Sequence, residues 1–489
     1  MLFNSFAYIV FFLPIIALLY NIIKKINISS SKVLMILSSL YFYTYLTDKY
    51  VMLLIASCAI TYSFSVCISK NINRKLSLLI GIIINVSILA YFKYISFFIS
   101  AFELHSYQYL SSWGLPLAIS FFTFQQISFL VDKYNGKIQH ESILDYLFYI
   151  TFFPKLISGP ITRFNDLYPQ TNEKRVVKSF EFLAGLSIIS IGLFKKVVLS
   201  SFFAGYADSG YASTHSLTFF DAWGTSLAYT MQIYFDFSGY SDVAIGSALL
   251  LGLRLPINFN SPYKALNIRD FWDRWHISLS TWLRDYIYIP LGGGRVGEVR
   301  AYLNVMATFI VSGIWHGVGV NFLMWGIMHG VATCISRAWT KAGFVMNKYL
   351  AWFITFNFIN LSWIPFRAND FEQVKHIVTA MLGMNGINYS AEFIKNIIYF
   401  TGLSWLQPLE LSASKSIVIS ASIIPMLAIS LFIVFKLKNS NELSKYSNHR
   451  DTSYDTSYAV VVLSAIALFI SIISMFGGTT ASNFIYASF

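Results

Sequence analysis

Long apolar runs alternate with short polar loops along almost the whole chain. A segment needs about 20 apolar residues to cross the hydrocarbon core of a bilayer. Runs near that length lie at Phe6–Ile23, Val33–Leu46, Tyr50–Ser69, Leu76–Phe102, Leu115–Val131, Phe180–Phe203 and Ala222–Gly252. Further runs lie at Tyr302–Trp315, Val320–Ala338, Tyr349–Ile364, Ile417–Phe435 and Ala459–Phe476. Val33–Leu46 and Tyr302–Trp315 are short, so the pattern predicts tilted, partial or protein-buried helices there. Ile143–Ile161 and Ala391–Leu406 are also apolar. The first contains Pro154 and Gly159-Pro160, the signature of a broken or re-entrant segment. The predicted class is an all-α polytopic membrane protein.

The pattern breaks in two places. Phe271 to Gly317 holds Phe271-Trp272-Asp273-Arg274-Trp275-His276, then Ser278, Arg284, Asp285, Gly292-Gly293-Gly294 and Trp315-His316-Gly317. Ionisable groups near membrane depth are expensive and usually line a cavity or pathway. The second break, Asn439 to Tyr458, is polar and carries a tandem Asp-Thr-Ser-Tyr repeat at 451–454 and 455–458. It reads as a flexible linker. The expected organisation is a membrane-embedded core over 1–438, a linker over 439–458, and a C-terminal transmembrane helix with its tail over 459–489.

Composition agrees with this class. Only 12% of the 489 residues are charged, about half the roughly 25% of a soluble chain, and the mean hydropathy is +0.59. The net charge of +12 gathers into no basic face interleaved with aromatics, so no nucleic-acid partner is expected. The cations sit in short loops instead: Lys24, Lys25 and Lys32; Lys70, Arg74 and Lys75; Lys133 and Lys137; Lys174, Arg175 and Lys178; the region Arg254 to Arg300; Arg337, Lys341 and Lys348; and Lys436, Lys438, Lys445 and Arg450. Positive loops face the cytoplasm. One topology satisfies all of them, with Ile143–Ile161 and Ala391–Leu406 not crossing and both termini outside. The N-terminal run has no basic n-region or cleavage site and reads as a retained helix. Cys58, Cys67 and Cys334 lie in apolar segments without metal-like spacing, so neither disulfide nor metal site is expected.

His316 ends an apolar run between Trp315 and Gly317. An imidazole there is suited to taking a proton from a hydroxyl at neutral pH. An interfacial histidine satisfied by a carbonyl is the equal alternative from the tripeptide alone. His276 lies among Arg274, Ser278, Arg284 and Asp285. The two arginines could bind an anionic group or pair with Asp270, Asp273 or Asp285. For each arginine taken singly, the local ion pair is the stronger expectation. Asp236 and Asp242 stand inside an apolar run, so each must be paired, neutral or facing water. Pairing with the basic stretch is the first reading and lining a pore the second. Gly292-Gly293-Gly294 reads as a turn after Pro290, and His329 as a helix-packing residue. No metalloprotease, Walker or serine-hydrolase motif occurs.

Five motifs occur in one order: Phe152 to Pro160 (FFPKLISGP), Tyr234 to Asp242 (YFDFSGYSD), Phe271 to Asp285, Tyr288 to Gly293 (YIPLGG) and Trp315-His316-Gly317. Together they resemble the membrane-bound O-acyltransferase (MBOAT) family, in its bacterial branch of alginate and peptidoglycan O-acetylation. The resemblance implies a ring of tilted helices with re-entrant segments around a central tunnel, in a bacterial cytoplasmic membrane. It implies acetyl-coenzyme A as acyl donor, His316 as the essential histidine and His276 as a second one. Arg274, Ser278, Arg284, Asp285, Trp315 and Asp236 are the implied substrate-binding residues. The tail Phe484-Ile485-Tyr486-Ala487-Ser488-Phe489 is similar to that of the small single-span partner of the D-alanyl transfer system, which makes Tyr486 a candidate acyl carrier. A phenol leaves more readily than an alkyl alcohol, so its ester can pass an acyl group onward. An interfacial aromatic anchor is the alternative; the carrier role stands ahead of it because the terminal position and the expected side agree. The expected partners are membrane lipid, an extracytoplasmic transferase of the SGNH type and a cell-surface polysaccharide. D-alanyl transfer to teichoic acid and a non-catalytic lipid or glycan flippase are the alternatives.

Overall fold

The computed structural model describes residues 2–103, 107, 111, 113–139, 141–175, 177–387, 413–446 and 458–476, with backbone alone over 413–422. No strand occurs among them; regular structure is helical throughout. Among the described residues, five helices are long and apolar enough to cross a membrane: Ala7–Ile26, Val51–Ser69, Arg74–Ala101, Ser179–Ala212 and Tyr458–Phe476. The protein is a multi-pass membrane protein. Its chain clusters into two units. One comprises Met1–Leu193, Tyr240–Ile257 and Ser440–Phe469, and the other Phe194–Gly239, Asn258–Asn439 and Ile470–Phe489.

The first unit opens with α1 (Leu13–Ile26), preceded by a π-helical turn over Ala7–Phe12, then α2 (Ile28–Leu46), α3 (Val51–Ser69), α4 (Arg74–Ala101) and α5 (Ile119–Tyr134). The short run Val33–Leu46 belongs to a longer helix because Asn27 caps it, its Oδ1 accepting from the Ser30 amide at 2.9 Å. α5 is the core of this unit, with every residue from Ile119 to Leu130 buried. Gln126 of this helix joins a buried polar network: Gln126 Nε2 donates to Ser57 Oγ at 3.1 Å, Thr61 Oγ1 to Gln126 Oε1 at 3.3 Å, and Asn85 Nδ2 to Thr61 Oγ1 at 3.0 Å. Large apolar side chains such as Leu18, Leu37, Met52 and Leu79 are exposed instead. Polar groups inside and apolar groups outside is the arrangement a lipid solvent imposes.

The run Ile143–Ile161 is broken, as its prolines predict. It forms α6 (Ile143–Thr151) and the single turn α7 (Phe153–Leu156), with Pro154 in the first turn where its missing N–H costs nothing. The chain then doubles back so tightly that a Cβ on Gly159 would lie 2.5 Å from Lys155 Cα. The same unit contains α8 (Phe164–Thr171) and α9 (Ser179–Leu193). The beginning of the segment read as a linker is packed: Ser440–Leu443 is a helical turn, Ser440 Oγ donates to Asp242 Oδ1 at 2.8 Å, and the Tyr446 hydroxyl donates to the Leu255 carbonyl. Residues 447–457 and the tail with Tyr486 lie outside the described residues.

The second unit contains α10 (Ser201–Ala212) and the start of α11 (Phe219–Leu250), a 32-residue helix that runs on into the first unit. Two short helices follow, α12 (Ile268–Trp272) and α13 (Ile277–Leu283). Then come α14 (Glu298–His316), α15 (Val320–Lys341), α16 (Lys348–Arg367) and α17 (Phe371–Met381). α14 and α15 form a tight hairpin. A Cβ on Gly313 would lie 2.4 Å from the Phe322 carbonyl, and one on Gly326 2.5 Å from the Phe309 carbonyl. Only glycine permits backbones this close.

Candidate active site

The second unit holds both histidines singled out by the sequence. His316 is the last residue of α14, and the α14–α15 crossing sets its position. It is buried, with its ring edge-on to Trp325 at 4.9 Å and to Phe366 at 5.2 Å. Trp315 packs at 4.9 Å from the His316 ring and 6.4 Å from the His276 ring, so one indole adjoins both imidazoles. Gly317 leaves room for Phe322, whose ring would overlap any Cβ there.

His276 is fully buried and caps α13 in the left-handed region, at φ +42° and ψ 52°. That conformation costs a non-glycine residue roughly 1–2 kcal/mol, so its surroundings must hold it. Asn258 does so. Its carbonyl accepts from the Ile277 amide at 3.0 Å, and its Oδ1 accepts from the Ser278 amide at 3.2 Å and the Ser278 hydroxyl at 2.8 Å. His276 Nδ1 lies 3.1 Å from the same Oδ1. Phe237 meets the ring edge-on at 4.7 Å. His276 lies in the connection between α11 and α14, and burial pushes its imidazole down to about 3, which keeps it neutral at ordinary pH.

His329 has a different environment. The Trp272 indole N–H donates to its Nδ1 at 3.3 Å, which leaves the proton on Nε2. Nε2 lies 3.1 Å from Ser362 Oγ, and the Ser362 hydroxyl donates to the Ile359 carbonyl at 2.8 Å. Both ring nitrogens are engaged in a closed relay that ties α12, α15 and α16 together. Trp275 packs beside it, 5.6 Å from Phe271 and 4.9 Å from Trp363.

The other sequence candidates are placed as follows. Ser278 binds Asn258 and holds the turn. Arg274 is half-buried, with Nε to Asp270 Oδ1 at 2.6 Å and a second donor to the Asn260 carbonyl at 3.3 Å. Arg284 is exposed and donates to Asp285 Oδ1 at 2.8 Å. Both arginines thus make the local pairs that were their stronger expectation. Asp236 is paired inside the unit with Lys196, which lies outside the Arg254–Arg300 stretch, and, at 3.4 Å, with Ser200 Oγ. Lys196 was not an expected partner because it lies within the apolar run Phe180–Phe203, where helix packing rather than loop charge delivers it. The glycine stretch is a turn, with positive φ at Gly292 and Gly293, pinned by Asn304 Nδ2 donating to the Gly293 carbonyl at 2.9 Å. Sequence reasoning missed Asn258, Trp325, Ser362 and Phe366. Each acts through partners 18 or more positions away or on another helix, and no local pattern marks them.

The sequence profile of the membrane-bound O-acyltransferase family matches residues 3–368. The chain is a membrane-bound O-acyltransferase. It is 39% identical to the peptidoglycan O-acetyltransferase of Helicobacter pylori, over 100% of the chain and 98% of that protein. It is 35% identical to the probable alginate O-acetylase of Pseudomonas aeruginosa, over 78% of the chain and 75% of that protein. With the teichoic acid D-alanyltransferase of Streptococcus thermophilus it shares 29% identity over 51% of the chain and 68% of that protein. Membership in an enzyme family that esterifies hydroxyl groups replaces the flippase reading. In this O-acyltransferase His276, His316 and the aromatic shell around them fall within the matched 3–368 span, whereas Tyr486 lies beyond it.

Proposed function

We propose that this O-acyltransferase moves an acetyl group from cytoplasmic acetyl-coenzyme A to the outer face of a bacterial cytoplasmic membrane, for O-acetylation of a cell-surface polysaccharide. The carrying observation is the 39% identity along the whole chain to a peptidoglycan O-acetyltransferase, which favours peptidoglycan as the polymer. A ring of helices around a tunnel would bring donor and acceptor to His316 from opposite sides. His316 takes the proton of the attacking hydroxyl, and that oxygen bonds to the thioester carbonyl carbon. The carbon–sulfur bond breaks, and the coenzyme A thiolate recovers the proton from His316. His276 supports the reactants as a neutral imidazole. Arg274 and Arg284, with guanidinium donors at least partly open to solvent, suit the phosphates of the donor.

Tyr486 is the proposed first acceptor. Its acetyl ester passes to a serine hydroxyl of an extracytoplasmic SGNH-type partner, which regenerates the phenol, and from that serine to a sugar hydroxyl. The basic loops support this direction, with both termini outside.

The test uses purified full-length protein and radiolabelled acetyl-coenzyme A. The wild type releases free thiol and gains label. His316→Ala, present at wild-type level in the membrane, is expected to lose both by at least about 100-fold. Wild-type thiol release by that variant overturns the role of His316. Labelling by a D-alanyl thioester but not by acetyl-coenzyme A replaces the acetyl assignment with D-alanyl transfer.

A further inference from the structure

The Asn258 amide receives a backbone N–H, and a backbone N–H can only donate. The Ser278 amide at 3.2 Å therefore identifies the facing atom of Asn258 as its oxygen, which settles which way the amide points. The same oxygen lies 3.1 Å from His276 Nδ1. Two acceptors cannot share a hydrogen bond, so Nδ1 must carry the proton. A neutral imidazole has one N–H, so the lone pair sits on Nε2. Three donors then converge on one carbonyl oxygen: the Ser278 amide, the Ser278 hydroxyl and His276 Nδ1–H. The Asn258 main chain adds a fourth tie, accepting from the Ile277 amide at 3.0 Å.

We propose that Asn258 is a positioning residue that fixes His276 as the Nδ1–H tautomer, with Nε2 as the acceptor presented to the reactants. The inference rests on the role given to His276 above and assigns its direction. A lone pair on Nε2 receives an O–H or N–H, such as the hydroxyl about to attack or an amide of the donor's pantetheine arm. It cannot donate to the oxyanion that forms on the thioester carbonyl, so that charge is stabilised by other groups. The arrangement also differs from His329, where the Trp272 indole donor imposes the opposite tautomer. His276 and His329, two of the buried histidines of this unit, are thus set to opposite protonation patterns by one neighbour each.

Two substitutions separate positioning from packing. In Asn258→Asp, the carboxylate keeps an acceptor for Nδ1–H and both Ser278 donors, so acetyl transfer is expected to stay within about tenfold of wild type. Its charge also stabilises the protonated ring. Phe237 and Trp315, which pack on that ring, carry no opposing charge. A nearby opposite charge raises a histidine pKa by about 1–3 units. A protonated ring has no lone pair, so the acid limb of the pH–rate profile should move up by about one unit or more. Asn258→Leu removes the acceptor and should lower kcat by more than tenfold with KM for acetyl-coenzyme A little changed. A wild-type rate in Asn258→Leu overturns the proposal, as does an Asn258→Asp profile whose acid limb stays put. Should Asn258→Leu fail to accumulate, the acid limb of Asn258→Asp decides alone. His276→Ala identifies which idea fails. If it is inactive while Asn258→Leu is fully active, only the positioning role falls. If it is itself fully active, the role of His276 falls and the positioning role with it.

Discussion

Three buried histidines stand in one unit, and at the scale of single residues their partners separate them. His329 has both nitrogens engaged, by Trp272 and Ser362, and is a structural tie. His329→Ala would leave the buried Trp272 N–H without its acceptor and take one of two partners from the Ser362 hydroxyl, which keeps the Ile359 carbonyl. An orphaned buried group costs about 1–3 kcal/mol. The midpoint of thermal unfolding in detergent should therefore fall by several degrees, while acetyl transfer assayed well below that midpoint stays within about threefold. A hundredfold fall in kcat with an unchanged midpoint would make His329 a participant in the chemistry. His316 and His276 stood out in the sequence because an ionisable side chain between aromatics in an apolar chain has few inexpensive explanations, while the roles proposed for them come from the family resemblance. Asn258 was not legible. An asparagine in a loop is ordinary, and its importance comes from the return of the chain 18 residues later.

At the scale of elements, the hydropathy pattern located most long helices but not their true ends. Tyr302–Trp315 became Glu298–His316 and Leu115–Val131 became Ile119–Tyr134, because polar residues can extend a helix past its apolar run and Pro116 delays the start of α5. α12 and α13, of five and seven residues, are too short to show a helical period, so they could not be read. The α14–α15 hairpin carries His316 on its first helix, and two glycines make its close approach possible. A Cβ on Gly326 would meet the Phe309 carbonyl at 2.5 Å and Gly313 Cα at 3.3 Å, both backbone atoms that can yield only if the helices part. Gly326→Ala should therefore shift His316 and lower acetyl transfer by at least about tenfold, given how steeply catalysis depends on placement. Val331→Ala, at an exposed position of the same helix, is the control and should leave the rate unchanged. Equal rates for the two variants would show that the crossing does not govern the site.

At the scale of the whole molecule, the proposed function requires one chain to give acetyl to an acceptor beyond the membrane. Buried polar networks and exposed apolar side chains account for insertion in a membrane. They do not supply the second half of a relay. The match to the O-acyltransferase family covers residues 3–368, whereas the alignment with the Helicobacter pylori peptidoglycan O-acetyltransferase covers all of this chain, including the segment that contains the tail. An acyltransferase core and a terminal tyrosine in one polypeptide would make the first transfer intramolecular, so the acceptor need not be recruited from solution. Tyr486→Phe isolates this step. It removes one oxygen and keeps the ring, so an aromatic anchor at the interface survives while the acceptor does not. The variant should insert normally, gain no stable label from radiolabelled acetyl-coenzyme A, and release thiol only at the rate of thioester hydrolysis. Polysaccharide acetylation in cells carrying it should fall to the level of His316→Ala. Acetylation at the wild-type level would reduce the tail to an anchor and require the partner's serine to take acetyl directly from the thioester at His316.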